Sequence, residues 1–399
     1  GKEALSSVGG SAGQIISLVV GFFTGVSTGA TVIISQYFGA GKKEEIEESL
    51  HTAYAFALVG GLVLGIAGIV FAPQMLRWMN TPEELIAEST LYVRVYFSGL
   101  IFIFIYNMGA AILRAVGDSK RPLYYLIVCS VVNIILDLLL ILVIPLGVLG
   151  AAIATLIAQA VSAVLVTVTL MYRTEGMKLC LSQIRMYKRM LQSILKIGLP
   201  AGFEAIMYSI SNIIVQVSIN NFGVDTMAAW TAYSKIDFIF WMINSAFSVM
   251  TFVGQNYGAG KWDRIRRGTK ICLGMALISA VSVSIILMSA ERFLFGIFVN
   301  DAGVVEIGIR MMNVIAPAYL LFAFIEVFSG ALRAQGAVVV STLITMVGIC
   351  VLRMIWVTLV AAHGTLEQVI ICYPITWAAG ALAMSIYYIY KQRKIFQAR

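Results

Sequence analysis

Stretches of about 20 apolar residues, the length a helix needs to cross a bilayer, recur along the whole chain. Eleven are visible, near residues 12–38, 51–72, 91–113, 122–144, 148–172, 194–221, 226–256, 269–289, 307–332, 338–361 and 366–390. Short polar segments punctuate them. Several runs exceed the bilayer thickness, which implies tilt or a helix continuing past the membrane. The pattern predicts an all-α polytopic membrane protein.

Composition agrees with that pattern. The chain is 60% apolar and 12% charged, against about 45–50% and about 25% in soluble domains. Water cannot solvate so much apolar surface, so lipid must. The formal charge of +8 does not point to nucleic acid, because the basic residues cluster in loops on one side of the predicted spans. That side holds 21 of the 28 Lys and Arg residues, including Lys42, Lys43, Arg114, Arg173, Arg267 and Arg399. It should be cytoplasmic, with the C-terminus inside and residue 1 outside; few basic residues, such as Lys2, fall on the other side. The five cysteines are scattered, without metal-site or disulfide spacing. Only His51 and His363 offer imidazoles, which argues against a metal centre or imidazole catalysis.

An internal repeat orders the spans. Gln36-Tyr37-Phe38-Gly39-Ala40-Gly41-Lys42 recurs as Gln255-Asn256-Tyr257-Gly258-Ala259-Gly260-Lys261, and Leu113-Arg114-Ala115-Val116-Gly117 as Leu332-Arg333-Ala334-Gln335-Gly336, both offset by 219 positions. Both matches fall at predicted cytoplasmic helix ends, so the copies share one orientation and each holds an even number of helices. The second copy has six spans and the first shows five, so one further helix is expected before residue 1. The predicted organisation is an N-terminal lobe at 1–172, a charged linker at 173–193, a C-terminal lobe at 194–390 and a basic tail at 391–399. The Gly-Ala-Gly-Lys turns lack the strand before, and the Ser/Thr after, that a phosphate loop requires; they read as helix C-caps.

The paired Gln-x-x-Gly-Ala-Gly-Lys ends, the Leu-Arg-Ala-x-Gly-Asp-x-Lys-x-Pro segment at 113–122, the neighbouring Asn133 and Asp137, and Gly-Leu-Pro-Ala-Gly at 198–202 together resemble the multidrug and toxic compound extrusion (MATE) family. The resemblance spans nearly the whole chain. It implies two six-helix lobes of a 12-helix fold, eleven helices of which are present here, around a central cavity. It also implies an antiporter that exports organic, often cationic, amphipathic compounds by alternating access, driven by Na⁺ or H⁺ entry. The expected partners are small organic substrates and membrane lipid, with no nucleic acid, no cofactor beyond the coupling ion, and a monomer in the plasma membrane. Alternatives are a lipid or lipid-linked oligosaccharide flippase of the same superfamily, which would want a wide basic cavity, and a membrane-embedded enzyme, for which no span carries a catalytic motif. A channel would need a re-entrant filter sequence.

Ionisable residues inside spans are costly and are functional candidates by default. Asn133 and Asp137, spaced i,i+4, share one helical face and suit a hard cation or a proton. Interhelical hydrogen bonding is the plainer alternative. The family resemblance adds Thr155 to this cation site, with Na⁺ as a candidate ion, and an Asp on the helix expected before residue 1. Glu326, Glu204 and Asp237 are candidates for a second ionisable site. Glu204 also suits a helix start, and Asp237 an interhelical pairing. Tyr208, Asn212, Gln216, Trp241 and Asn244 are candidates for lining a substrate cavity.

Overall fold

The computed structural model describes residues 11–79, 81, 83–172, 177–360 and 364–397. His363, Arg173, Lys2 and Arg399 lie outside the described residues. Among the described residues only helices and turns occur, as the hydropathy pattern predicts. Among the described residues ten helices are long and apolar enough to span a membrane, and a bent pair makes an eleventh. In chain order they are α1 (Ala12–Gly39), α2 (Lys43–Trp78), α3 (Glu83–Ser98 with Leu100–Ala115, bent by 47°), α4 (Lys120–Val143), α5 (Gly147–Tyr172) and α6 (Lys188–Asn220). Then follow α7 (Val224–Gly258), α8 (Trp262–Ser289), α9 (Ala302–Ala334), α10 (Val338–Val360) and α11 (Leu366–Ile395). Each predicted span has its helix. Large apolar side chains such as Leu126, Ile134, Ile135 and Leu142 on α4 stand exposed, a surface suited to lipid rather than water.

The repeat is reproduced at atomic detail. At the end of α1, the amides of Ala40, Gly41 and Lys42 donate to the carbonyls of Gln36, Phe38 and Tyr37; within the second copy, Ala259, Gly260 and Lys261 donate to Gln255, Tyr257 and Asn256. Gly41 and Gly260 adopt φ 69° and 68°, the left-handed conformation that closes a helix and that a Cβ disfavours. Space around both would admit a side chain, so the backbone conformation is what selects glycine. The second matched pair, Gly117 and Gly336, likewise has positive φ.

The chain forms two compact units, Gly1–Ala205 and Ile206–Arg399, so α6 runs from one into the other. In the first unit the opening of α6 packs on α1 through facing glycines. A Cβ on Gly25 would lie 2.6 Å from the Ala201 carbonyl oxygen, and one on Gly198 would collide with the Val26 backbone. Small residues let helix backbones approach this closely where no hydrophobic drive exists between spans.

The segment between α5 and α6 is fastened to α2. Met177 and Leu179 are buried, and the Cys180 amide donates to Nε2 of the buried His51 at 3.1 Å. With Nε2 accepting, the ring proton sits on Nδ1, which donates to the Glu47 carbonyl at 2.7 Å. The Tyr187 amide donates to Thr52 Oγ1 at 3.1 Å. One such bond contributes about 1 kcal/mol net, so His51→Leu should raise local opening, and with it tryptic cleavage at Lys178 and Arg185, about fivefold. A cleavage rate within twofold of wild type would mean that the apolar anchors alone hold the segment.

Candidate functional site

The second unit encloses a cavity of about 620 Å³, within the range of small-molecule sites. Its chemistry begins on α7, where Tyr233, Asp237 and Trp241 recur every four residues and so share one face. Asp237 Oδ1 accepts from the Tyr233 hydroxyl at 3.2 Å and from the Tyr319 hydroxyl, while Oδ2 accepts from Trp241 Nε1 at 2.6 Å. Tyr319 is fully buried and stacks on Phe240 with ring centroids 3.8 Å apart. It follows a break in the α-helical bonding: a single 3-10 turn, Ala316–Ala318, interrupts α9 at Pro317, and Ser284 Oγ donates to the Ala316 carbonyl at 2.7 Å. The carboxylate thus stands in a cage of three donors.

Arg353 supplies the opposite charge. It sits on α10 between two π-helical stretches, Met346–Val351 and Trp356–Val360, a distortion frequent at functional sites. The side chain is 1% exposed. Its Nη1 donates to Asn212 Oδ1 at 3.1 Å and its Nη2 to Thr376 Oγ1 at 3.4 Å, and the guanidinium lies over the Tyr373 ring, 4.2 Å from the centroid. Nε is buried with no hydrogen-bond partner, and among the described residues no carboxylate pairs with it. Arg353, Tyr233, Tyr319, Thr376 and Tyr373 were not among the sequence candidates. Arg353 carried a usable signal, a lone cation within an apolar run, because the rule for buried charge applies to bases as well as acids. The tyrosines and Thr376 carried none, since their roles arise only when α9 and α11 pack against α7 and α10.

Of the residues proposed from sequence, Tyr208, Asn212, Gln216, Asp237 and Trp241 line this cavity; the buried Asn244 lies outside its lining. Asp237 faces the cavity and bonds a second helix at once, while Lys235 is exposed elsewhere on α7. Glu326 is half-buried on α9, within electrostatic reach of Cys272. Glu204 is buried in the first unit.

Asn133 and Asp137 on α4 and Thr155 on α5 also belong to the first unit. Asn133 Nδ2 and Asp137 Oδ1 are buried without hydrogen-bond partners, and Tyr92 on α3 lies within electrostatic reach of the Asp137 carboxylate. Thr155 Oγ1 donates to the Ala151 carbonyl at 3.0 Å. No hydrogen bond links the three residues among the described ones. Such orphaned buried atoms are costly, and a bound cation or proton would relieve the carboxylate. Among the described residues no group of three or more His, Cys, Asp and Glu side chains is arranged to hold a metal, so a cation here would pair the Asp137 carboxylate with amide, hydroxyl and carbonyl oxygens.

The model of the MatE family matches residues 1–139 and 200–359, covering both copies of the repeat. The chain belongs to the MatE family. These are transporters, not enzymes. The chain is similar to the "Probable multidrug resistance protein YoeA" of Bacillus subtilis, 28% identical over 99% of this chain and 88% of that protein. A solved structure described as the "outward-facing conformation of a multidrug resistance MATE family transporter of the MOP superfamily" superposes with a TM-score of 0.91 at 21% identity, covering 100% of this chain and 90% of that one. A superfamily transporter from Pyrococcus furiosus, described by a binding pocket of reversed polarity, superposes at 0.90 with 20% identity over 98% of this MatE chain and 89% of its own.

Proposed function

We propose that this MatE protein is a multidrug efflux antiporter of the plasma membrane. It exports organic amphiphiles by alternating access in exchange for Na⁺ or H⁺ entering at Asn133, Asp137 and Thr155. The observation that carries the reading is the division of polar chemistry in a duplicated helical membrane fold. One unit holds an unpartnered carboxylate suited to a small cation. The other holds an aromatic cavity large enough for a drug-sized molecule. The similarity to YoeA, which is described as a multidrug resistance protein, supports the substrate class. The arrangement of basic loops favours a cytoplasmic C-terminus. A flippase for pyrophosphate-linked lipids would want several cations in its cavity, and the cavity lining includes one, Arg353.

The test is export of a fluorescent amphiphile from vesicles carrying the protein, with the Na⁺ and pH gradients imposed independently. Extrusion should follow one gradient and stop when that gradient alone is collapsed. Extrusion indifferent to both gradients would overturn the antiport reading.

A further inference from the structure

The two charged residues of the cavity are not equivalent. Asp237 has its charge met inside the protein, by two phenol hydroxyls and an indole N–H. Arg353 does not. A guanidinium presents a rigid fork of N–H donors matched to a planar oxyanion, yet here two of them reach only neutral oxygens. The Tyr373 ring offers its π-face. The Nε donor is buried and reaches nothing. Burying a cation without a paired anion is among the least favourable arrangements in a protein, more so within a membrane span. It persists here on a distorted helix and on the wall of an open cavity.

We propose that this cavity binds the oxyanion head of an organic amphiphile on Arg353, with its apolar body against Trp230, Trp241 and Phe322. The inference deepens the efflux reading and rests on the cavity being a substrate site. It departs from the often cationic compounds that the family resemblance implies. A purely architectural Arg353, tying α6 to α10 and α11 through Asn212 and Thr376, would give the cavity no preference between ligand charges. That difference is measurable.

The experiment uses the full chain in neutral-lipid nanodiscs and three probes with one apolar body: 1-pyrenebutyrate, 1-pyrenebutylamine and 1-pyrenebutanol. Energy transfer from the cavity tryptophans to pyrene reports occupancy. The acid should bind saturably and at least about tenfold tighter than the amine or the alcohol, the scale of a charge-assisted, partly desolvated contact. Arg353→Gln should erase that preference, and Arg353→Lys should retain part of it, since it keeps the charge but loses the planar fork. The proposal is overturned if the wild-type protein binds the amine or the alcohol as tightly as the acid, or if folded Arg353→Gln keeps the acid's affinity. The wild-type comparison needs no variant, so misfolding of a variant cannot shelter the idea. Because binding is read at equilibrium, a failure of gradient-driven export would leave this result standing. Export without acid preference would remove only this inference.

Discussion

Asp237→Leu is expected to cost the protein about 2–6 kcal/mol of stability, measured by denaturant unfolding in micelles, and to abolish binding of pyrene amphiphiles. Trp241 Nε1 can only donate, and with Asp237 gone its bond at 2.6 Å has no replacement. The hydroxyls of Tyr233 and Tyr319 lie 3.2 Å apart, so one can turn to donate to the other, and one proton is left without an acceptor. Two stranded donors at about 1–3 kcal/mol each set the range. Asp237→Asn should lose about half as much: its carbonyl oxygen can keep the Trp241 bond, while its amide donates to the hydroxyls and one tyrosine proton stays without an acceptor. Equal losses for the Leu and Asn variants, or no loss for Leu, would show that the cage does not hold α7 to α9. Loss of the cage should also free Tyr319 to shift, and with it the aromatic wall that shapes the ligand space.

Hydropathy reveals the spans because the bilayer imposes a length and a solvent on each one, and both are written locally. Helix ends are less legible. The apolar run near 51–72 belongs to a helix starting at Lys43 and ending at Trp78, because Glu44, Glu45, Glu47 and Glu48 favour helix in the polar zone where hydropathy is mute. The duplication was legible from two short motifs, and equivalent backbone bonds at Gly41 and Gly260 explain why those residues recur. The site divides in the same way. Asp237 stands out as an acid in an apolar run, but one of its partners, Tyr319, is 82 residues away. Arg353 and Asn212 are separated by 141 residues, and Cys180 and His51 by 129. Such pairings are products of helix packing, with no local pattern to announce them. The π-helical distortions around Arg353 carry no composition signal either.

Asp137→Asn is expected to abolish gradient-driven export while leaving expression, membrane insertion and unfolding midpoint essentially unchanged. The contrast with Asp237 follows from what each carboxylate does for its neighbours. Among the described residues nothing donates to Asp137 Oδ1, so an amide at 137 strands no partner. It also removes a charge that burial penalises. The variant should therefore be as stable as wild type or slightly more so, the pattern of a residue kept for function against stability. What it loses is the negative charge on which a cation or proton would exchange with the substrate. Export in vesicles should fall to the level of vesicles lacking the protein, whichever gradient is applied. Acid-probe binding at Arg353, which belongs to the other compact unit, should survive. Export that continues with its Na⁺ or pH dependence intact would remove Asp137 from the coupling site. A large loss of stability would instead make the pair Asn133 and Asp137 a structural tie between helices.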